Sequence, residues 1–307
     1  MKFLDIYKKR YSLSDQDGVF NFLTTSWISS IKYWDYFVNW NKVTKNVDNL
    51  EIDLNLLDYL VGKDDVETEF KNLLRKYPNV IRLLPILLAC REKEFTILTE
   101  YSNGYFVFEH FQFNEQKELS NGEIEKLCQF AKESGLLDIF KKKIVKSVPD
   151  YVIGIEVGLD SNGRKSRSGS AMEKIVESFL RSVTEKSGFD YISQADSEKV
   201  KTAWGIKLYV DKSDRKFDFI VRIKDKLFLI ETNYYGGGGS KLKATAGEYK
   251  SLFELANLHG YGFVWITDGL GWQSARLPLR EAFDKLDFIL NLKMITDGVL
   301  DEVLING

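Results

Sequence analysis

Histidine and cysteine are almost missing from this chain of 307 residues, and their scarcity removes several chemistries at once. The only two histidines, His110 and His259, lie in unlike contexts, so a histidine-rich zinc site, an HxxEH-type protease or a histidine-based nuclease has nothing to build on. The only two cysteines, Cys90 and Cys128, sit far apart in segments that read as helical. Neither a disulfide framework nor a thiolate metal site is expected, and a reducing cytoplasm fits. No GxxxxGK[ST] loop and no GxSxG elbow occurs, which leaves an ATPase, a nucleotide cofactor or a serine hydrolase without its motif. Long apolar runs are lacking too. The longest, around Val80 to Cys90, is broken by Arg82 and Pro85, and the first residues, MKFLDIYKKR, carry charges where an export signal needs an apolar run, so no membrane span or export signal is expected. Nor does one sign of charge dominate, since the net is −2. The charge is uneven, however: residues 161–250 carry 18 Lys and Arg against 12 Asp and Glu, and residues 251–307 carry 4 against 8. The middle of the chain is the candidate anion-facing surface.

What is present suits an ordinary globular protein, with 44% hydrophobic and 29% charged residues, and the length allows two domains or one large domain with an appendage. Up to about Lys146 the apolar residues recur at three and four, as in Phe20, Leu23, Trp27 and Ile31 or Leu54, Leu57, Leu60 and Val61, which is helical periodicity. A short β-rich insertion, Phe95 to Leu98 and Tyr105 to Phe111, interrupts it. Pro149, after Lys141, Lys142 and Lys143, marks a candidate seam between a mainly helical region, 1–148, and a second region, 149–307. In the second region strands alternate with helices: a helix over Ser170 to Val183, strands at Lys207 to Val210, Phe217 to Ile223 and Leu227 to Tyr234, a helix over Ala244 to Leu258, and a buried strand at Gly262 to Thr267. The order predicts an α/β core with a mixed sheet flanked by helices.

Carboxylates on strands are the remaining candidates for chemistry. Glu231 and Asn233 are two apart in LFLIETNY and therefore share a face, and a tight turn at Lys224 to Lys226 folds the preceding strand, with Asp218, alongside them. Two acidic groups brought together among apolar neighbours repel unless a cation lies between them, and hard oxygen ligands of this kind suit Mg²⁺. The competing reading of Asp218 is an ordinary strand-end charge that meets solvent or pairs with Lys224 or Lys226.

A carboxylate on one strand followed by an apolar run and E-x-K on the next is the pattern of PD-(D/E)xK nucleases, and this chain resembles it with Asn233 where lysine is usual. More specifically, GLDSNGRKSRSGSAME at 158–173, IETNYYGGGGSKL at 230–242 and WITDGLGW at 265–272 resemble the DpnII/MboI type II restriction endonucleases. The resemblance extends to the N-terminal VNWNKVTKNV and LLRKYPNVIRLLPILLA. It implies a PD-(D/E)xK-like core and Mg²⁺-dependent hydrolysis of double-stranded DNA at GATC, sensitive to adenine methylation. It implies a homodimer, since a palindromic site presents two identical halves. In that reading Asp218 and Glu231 hold the metal, Asn233 positions the attacking water, and Glu173 supports the site from a helix. Ser170 to Glu173 also reads as a capping box, in which Glu173 merely binds the Ser170 backbone.

Arg164, Lys165 and Arg167, in a small and basic stretch expected to be flexible, suit phosphate or guanine contacts or else an ordinary solvated loop. Ser240, Lys241 and Lys243, after Gly236 to Gly239, admit DNA contact or a hinge. Two rivals stand beside the restriction enzyme: another nuclease on the same core, such as a resolvase or repair enzyme, and a DNA-binding protein without catalysis.

Overall fold

Leu54 and Leu57 of helix Glu51–Asp58, and Phe70, Leu73 and Leu74 of helix Val66–Lys76, fall on one side of each helix and are buried together, as their spacing dictates. They belong to one of two compact units in this computed structural model, which describes residues 4–102 and 105–306. That unit is Asp35–Arg164; the other joins Met1–Trp34 to Lys165–Gly307. Side chains cap several helices of the first unit. Asp65 accepts from Thr68 N, and Ser120 with Glu123 closes a capping box on helix Asn121–Glu133. The β-rich insertion is an antiparallel hairpin of β1 (Glu94–Ser102) and β2 (Tyr105–Gln112). Pro149 lies in the first turn of helix Val148–Ser161, where its missing N–H has no helical partner to lose. Cys90 and Cys128 are both free.

The second unit holds the mixed α/β core that the strand and helix order predicts. Its five-stranded sheet runs β3 (Asp190–Ala195), β4 (Phe217–Ile223), β5 (Lys226–Tyr234), β6 (Gly262–Asp268), β7 (Phe288–Leu290). The first three strands pair antiparallel; β5, β6 and β7 run parallel. β4 and β5 are apolar for most of their length because both faces are covered, and Lys224, with φ +53°, turns the chain between them. One expected strand is absent. Lys207 to Val210 makes no ladder; Leu208 is buried and Tyr209 N donates to the Tyr261 hydroxyl instead. One sheet edge is β3, whose sequence DYISQA carries no strand alternation; the other is β7.

Helix Arg164–Ser187 buries Met172, Val176, Leu180 and Val183, and helix Ser240–Leu258 buries Leu242, Ala246, Tyr249, Leu252 and Ala256. The first begins at Arg164, so Ser170 is interior to it and caps nothing, and the basic stretch expected to be flexible is helical from Arg164 onward. The buried Asp268 ties its own turn to two distant segments: Oδ1 accepts from Gly269 N at 2.6 Å and Ile28 N at 2.7 Å, and Oδ2 accepts from Leu292 N at 2.9 Å. Beyond it the chain folds back over Tyr235. A side chain at Gly269, with φ +107°, or at Gly271 would strike the Tyr235 carbonyl oxygen, which accepts from Gly271 N at 2.7 Å. Among the described residues no helix is long and apolar enough to cross a membrane.

Candidate active site

β5 delivers Glu231 and Asn233 to one place, because residues two apart on a strand share a face. Both meet the hydroxyl of Tyr249, on helix Ser240–Leu258. The Tyr249 hydroxyl donates to Glu231 Oε2 at 3.1 Å, and Asn233 Nδ2 donates to the Tyr249 oxygen at 2.9 Å. The Trp265 indole N–H of β6 donates to Asn233 Oδ1 at 2.6 Å. Asp218 enters from β4. Phe219 pairs with Ile230, and one step further along this antiparallel register lies Asp218 across from Glu231. Its Oδ2 accepts from both the backbone N–H and the hydroxyl of Thr232, each at 2.8 Å.

Glu173 joins the group from helix Arg164–Ser187. Its Oε2 accepts from Gln194 Nε2 at 2.8 Å, and the same nitrogen lies 3.5 Å from Asp218 Oδ1. The capping-box alternative for Glu173 is thereby removed: its partner is Gln194 of β3 and its helix starts well before Ser170. Gln194 adopts φ +46°, uncommon for a residue with a side chain, and Lys199 Nζ donates to its carbonyl at 2.8 Å.

All three carboxyls titrate above the ordinary range. Burial pushes Glu231 up to about 8, the Asp218 charge adds to this, and the hydrogen bond from Tyr249 opposes it. Asp218 is raised by burial and restrained by the two Thr232 hydrogen bonds. Glu173 is raised by burial and by Asp218, with Gln194 opposing. Burial does most of this, the Asp218 charge acts on the other two, and a cation would offset both. Glu231 is only 7% exposed, and its Oε1 is buried with no hydrogen-bond partner at all. An unpartnered buried carboxylate oxygen beside a second carboxylate is the donor set of a hard divalent cation, and the site fits Mg²⁺. Among the described residues no three His, Cys, Asp or Glu side chains converge into a metal cage. The arrangement is a pair of carboxylates, in keeping with an ion that retains several waters.

Ser240, Lys241 and Lys243 are exposed on the first turn of helix Ser240–Leu258, directly after the exposed Gly236 to Gly239. Arg164 donates through Nε to the Phe37 carbonyl at 3.2 Å, Arg167 is partly buried, and the Lys165 side chain lies outside the described residues. Sequence reasoning missed Tyr249, Gln194, Trp265 and Thr232. Tyr249 stands at a core position of its helix and looks like packing; only the placement of that helix over β5 makes it part of the site. Thr232, adjacent to Glu231, was the one with a local signal, a hydroxyl within reach of a neighbouring strand.

The DpnII restriction endonuclease family matches residues 19–302. The chain is 46% identical over 290 residues to the type II restriction enzyme MjaIII of Methanocaldococcus jannaschii, covering 93% of this chain and 99% of that enzyme. It is 33% identical over 283 residues to the type II restriction enzyme DpnII of Streptococcus pneumoniae, with 89% and 96% covered. With the type II restriction enzyme MboI of Moraxella bovis the identity is 38% over 261 residues, with 84% and 86% covered. No solved structure matches the chain.

Proposed function

The chain belongs to the DpnII restriction endonuclease family, and on that premise we propose that it is a type II restriction endonuclease cutting double-stranded DNA at GATC with Mg²⁺ as cofactor. The observation that carries the reading is the buried, unpartnered Oε1 of Glu231 beside Asp218. Asp218 and Glu231 would hold the cation, which when bound supplies Lewis acidity for activating water and offsetting charge on the scissile phosphate. The protein's own contribution is to fix these groups beforehand. Thr232 occupies Asp218 Oδ2, while Oδ1 faces Gln194 Nε2 at 3.5 Å. Gln194 ties Glu173 to Asp218 and sets the spacing of the acids, which is the supporting part we assign to Glu173. Asn233 stands in the usual lysine position with both ends of its amide engaged, by Tyr249 and Trp265. An amide cannot act as a base, so the proton of the attacking water passes to a phosphate oxygen or to bulk water.

Lys241, Lys243 and Ser240, at a helix N-terminus behind a glycine run, are suited to phosphate contact. Arg164, Lys165 and Arg167 are assigned to the DNA as well. The specificity for GATC follows the motif resemblance at 158–173, 230–242 and 265–272, and a palindromic target calls for a homodimer whose two sites each cut one strand. A cytoplasmic location accompanies this role.

The test is digestion of plasmid, adenine-methylated at GATC or not, with Mg²⁺ or with EDTA, followed by sequencing of the ends. Cleavage of unmethylated plasmid at GATC, with Mg²⁺ only, is expected. Cleavage elsewhere would indicate a different nuclease on this core. Tight binding without cleavage in Mg²⁺ or Mn²⁺ would indicate a DNA-binding protein in which Asn233 has replaced a needed lysine.

A further inference from the structure

The four side chains Trp265, Asn233, Tyr249 and Glu231 form a line of hydrogen bonds whose direction is fixed at every step once Glu231 is ionised. An indole N–H can only donate, so the oxygen of the Asn233 amide must face Trp265, at 2.6 Å. The NH₂ of that amide is then turned to the Tyr249 oxygen, at 2.9 Å. An ionised Glu231 can only accept, so the Tyr249 hydroxyl donates its proton to Oε2, at 3.1 Å. The line starts on β6, crosses β5, touches helix Ser240–Leu258 and returns to β5. Trp265, Tyr249 and Glu231 are all buried, so solvent offers the line little competition.

We propose that Tyr249 is a positioning residue of the active site: held by Asn233, its hydroxyl clamps Glu231 Oε2 and so presents Oε1 to the cation. The inference rests on the nuclease reading above. It explains why one oxygen of Glu231 is partnered and the other, equally buried, is not. It also gives the residue in the lysine position a definite task, since Asn233 acts on Glu231 through Tyr249 and need not touch the water. A lysine at 233 has no acceptor for the Trp265 N–H and would break the line at its first step.

The test uses the full chain with Tyr249→Phe, Asn233→Ala and both together. Mn²⁺ binding to DNA-free protein is measured by calorimetry, single-turnover cleavage of a GATC duplex is measured in Mg²⁺, and thermal unfolding checks the fold. Loss of a partner that orients a metal ligand typically lowers affinity or activity about 10–100-fold. Tyr249→Phe is therefore expected to weaken Mn²⁺ binding and slow cleavage within that range while the protein remains folded. Asn233→Ala is expected to do part of the same, and the double variant to be no worse than Tyr249→Phe alone, because both act through one bond. Wild-type Mn²⁺ affinity in Tyr249→Phe would overturn the proposal. So would losses that multiply in the double variant, which would mean that Asn233 meets the water or substrate by itself. A wild-type protein that binds Mn²⁺ in a Tyr249-dependent way but cuts no DNA would sink the nuclease reading and leave the clamp standing.

Discussion

Glu231→Gln exchanges a buried acid for a neutral side chain of the same shape, and its effect should change sign with pH. Without metal, the folded protein holds a proton on Glu231 up to about pH 8, whereas the unfolded chain releases it near the ordinary value of 4.5. Between those values the folded state binds more protons than the unfolded one. Stability is thus fully present below about 4.5 and is lost as pH rises through the folded value. At about 1.4 kcal/mol per pH unit the interval amounts to roughly 5 kcal/mol, an appreciable part of the 5–15 kcal/mol that holds typical proteins folded. Glutamine does not titrate and escapes this loss. Its amide does add a buried N–H without an acceptor, at about 1–3 kcal/mol. Urea unfolding of both proteins in EDTA from pH 5 to 9 should therefore show the variant less stable at the acid end and more stable at the basic end. Asp218 is present in both, so the difference curve reports Glu231 together with its coupling to Asp218. Added Mg²⁺ should restore the wild type at high pH and leave the variant unchanged, with apparent metal affinity rising about tenfold per pH unit below 8 as the proton is displaced. A difference curve that is flat from pH 5 to 9 would refute the assignment of a buried, cation-starved carboxylate to Glu231.

Asp218→Ala should abolish cleavage and leave DNA affinity in Ca²⁺ nearly unchanged, as filter binding and single-turnover rates would register; cleavage near the wild-type rate means the site is elsewhere. Lys241→Ala and Lys243→Ala should each weaken DNA binding alike on all sequences and reduce the slope of log affinity against log salt by about 1; an unchanged slope removes them from the interface. Asp268→Ala leaves three backbone N–H groups without their acceptor, and a loss of more than about 3 kcal/mol in urea unfolding is expected. Light scattering on a short GATC duplex should give two protein chains per duplex; a stable monomer complex that cuts both strands counts against the dimer.

The sequence made β4, β5 and β6 legible because each is a run of apolar residues longer than a half-buried strand requires, and the two-residue spacing alone put Glu231 and Asn233 on one face. The turn between β4 and β5 supplied Asp218. What it concealed depended on partners distant along the chain. β3 is polar because it lies at a sheet edge, while Lys207 to Val210 alternates like a strand but finds a tyrosine hydroxyl where a ladder was expected. The S-x-x-E signal at Ser170 is genuine local chemistry overruled by a helix that had already begun. Tyr249 and Trp265 have core positions and core composition, and nothing local separates a buried hydroxyl that orients a carboxylate from one that merely packs.

The unit that carries the carboxylates is assembled from both ends of the chain, with Asp35–Arg164 folded between them. Ile28 leaves the ribosome long before the carboxylate that holds its N–H, which is 240 residues further on. At ~5–20 residues per second that wait is on the order of 10–50 seconds. Asp218 and Glu231 emerge before β6 and β7 do, so β5 lacks its parallel neighbour, and Asn233 lacks Trp265, until β6 has followed. On the proposed reading, a chain arrested between β5 and β6 should hold both carboxylates and still be unable to cut DNA, because the strand and the indole that order the site have not yet joined them.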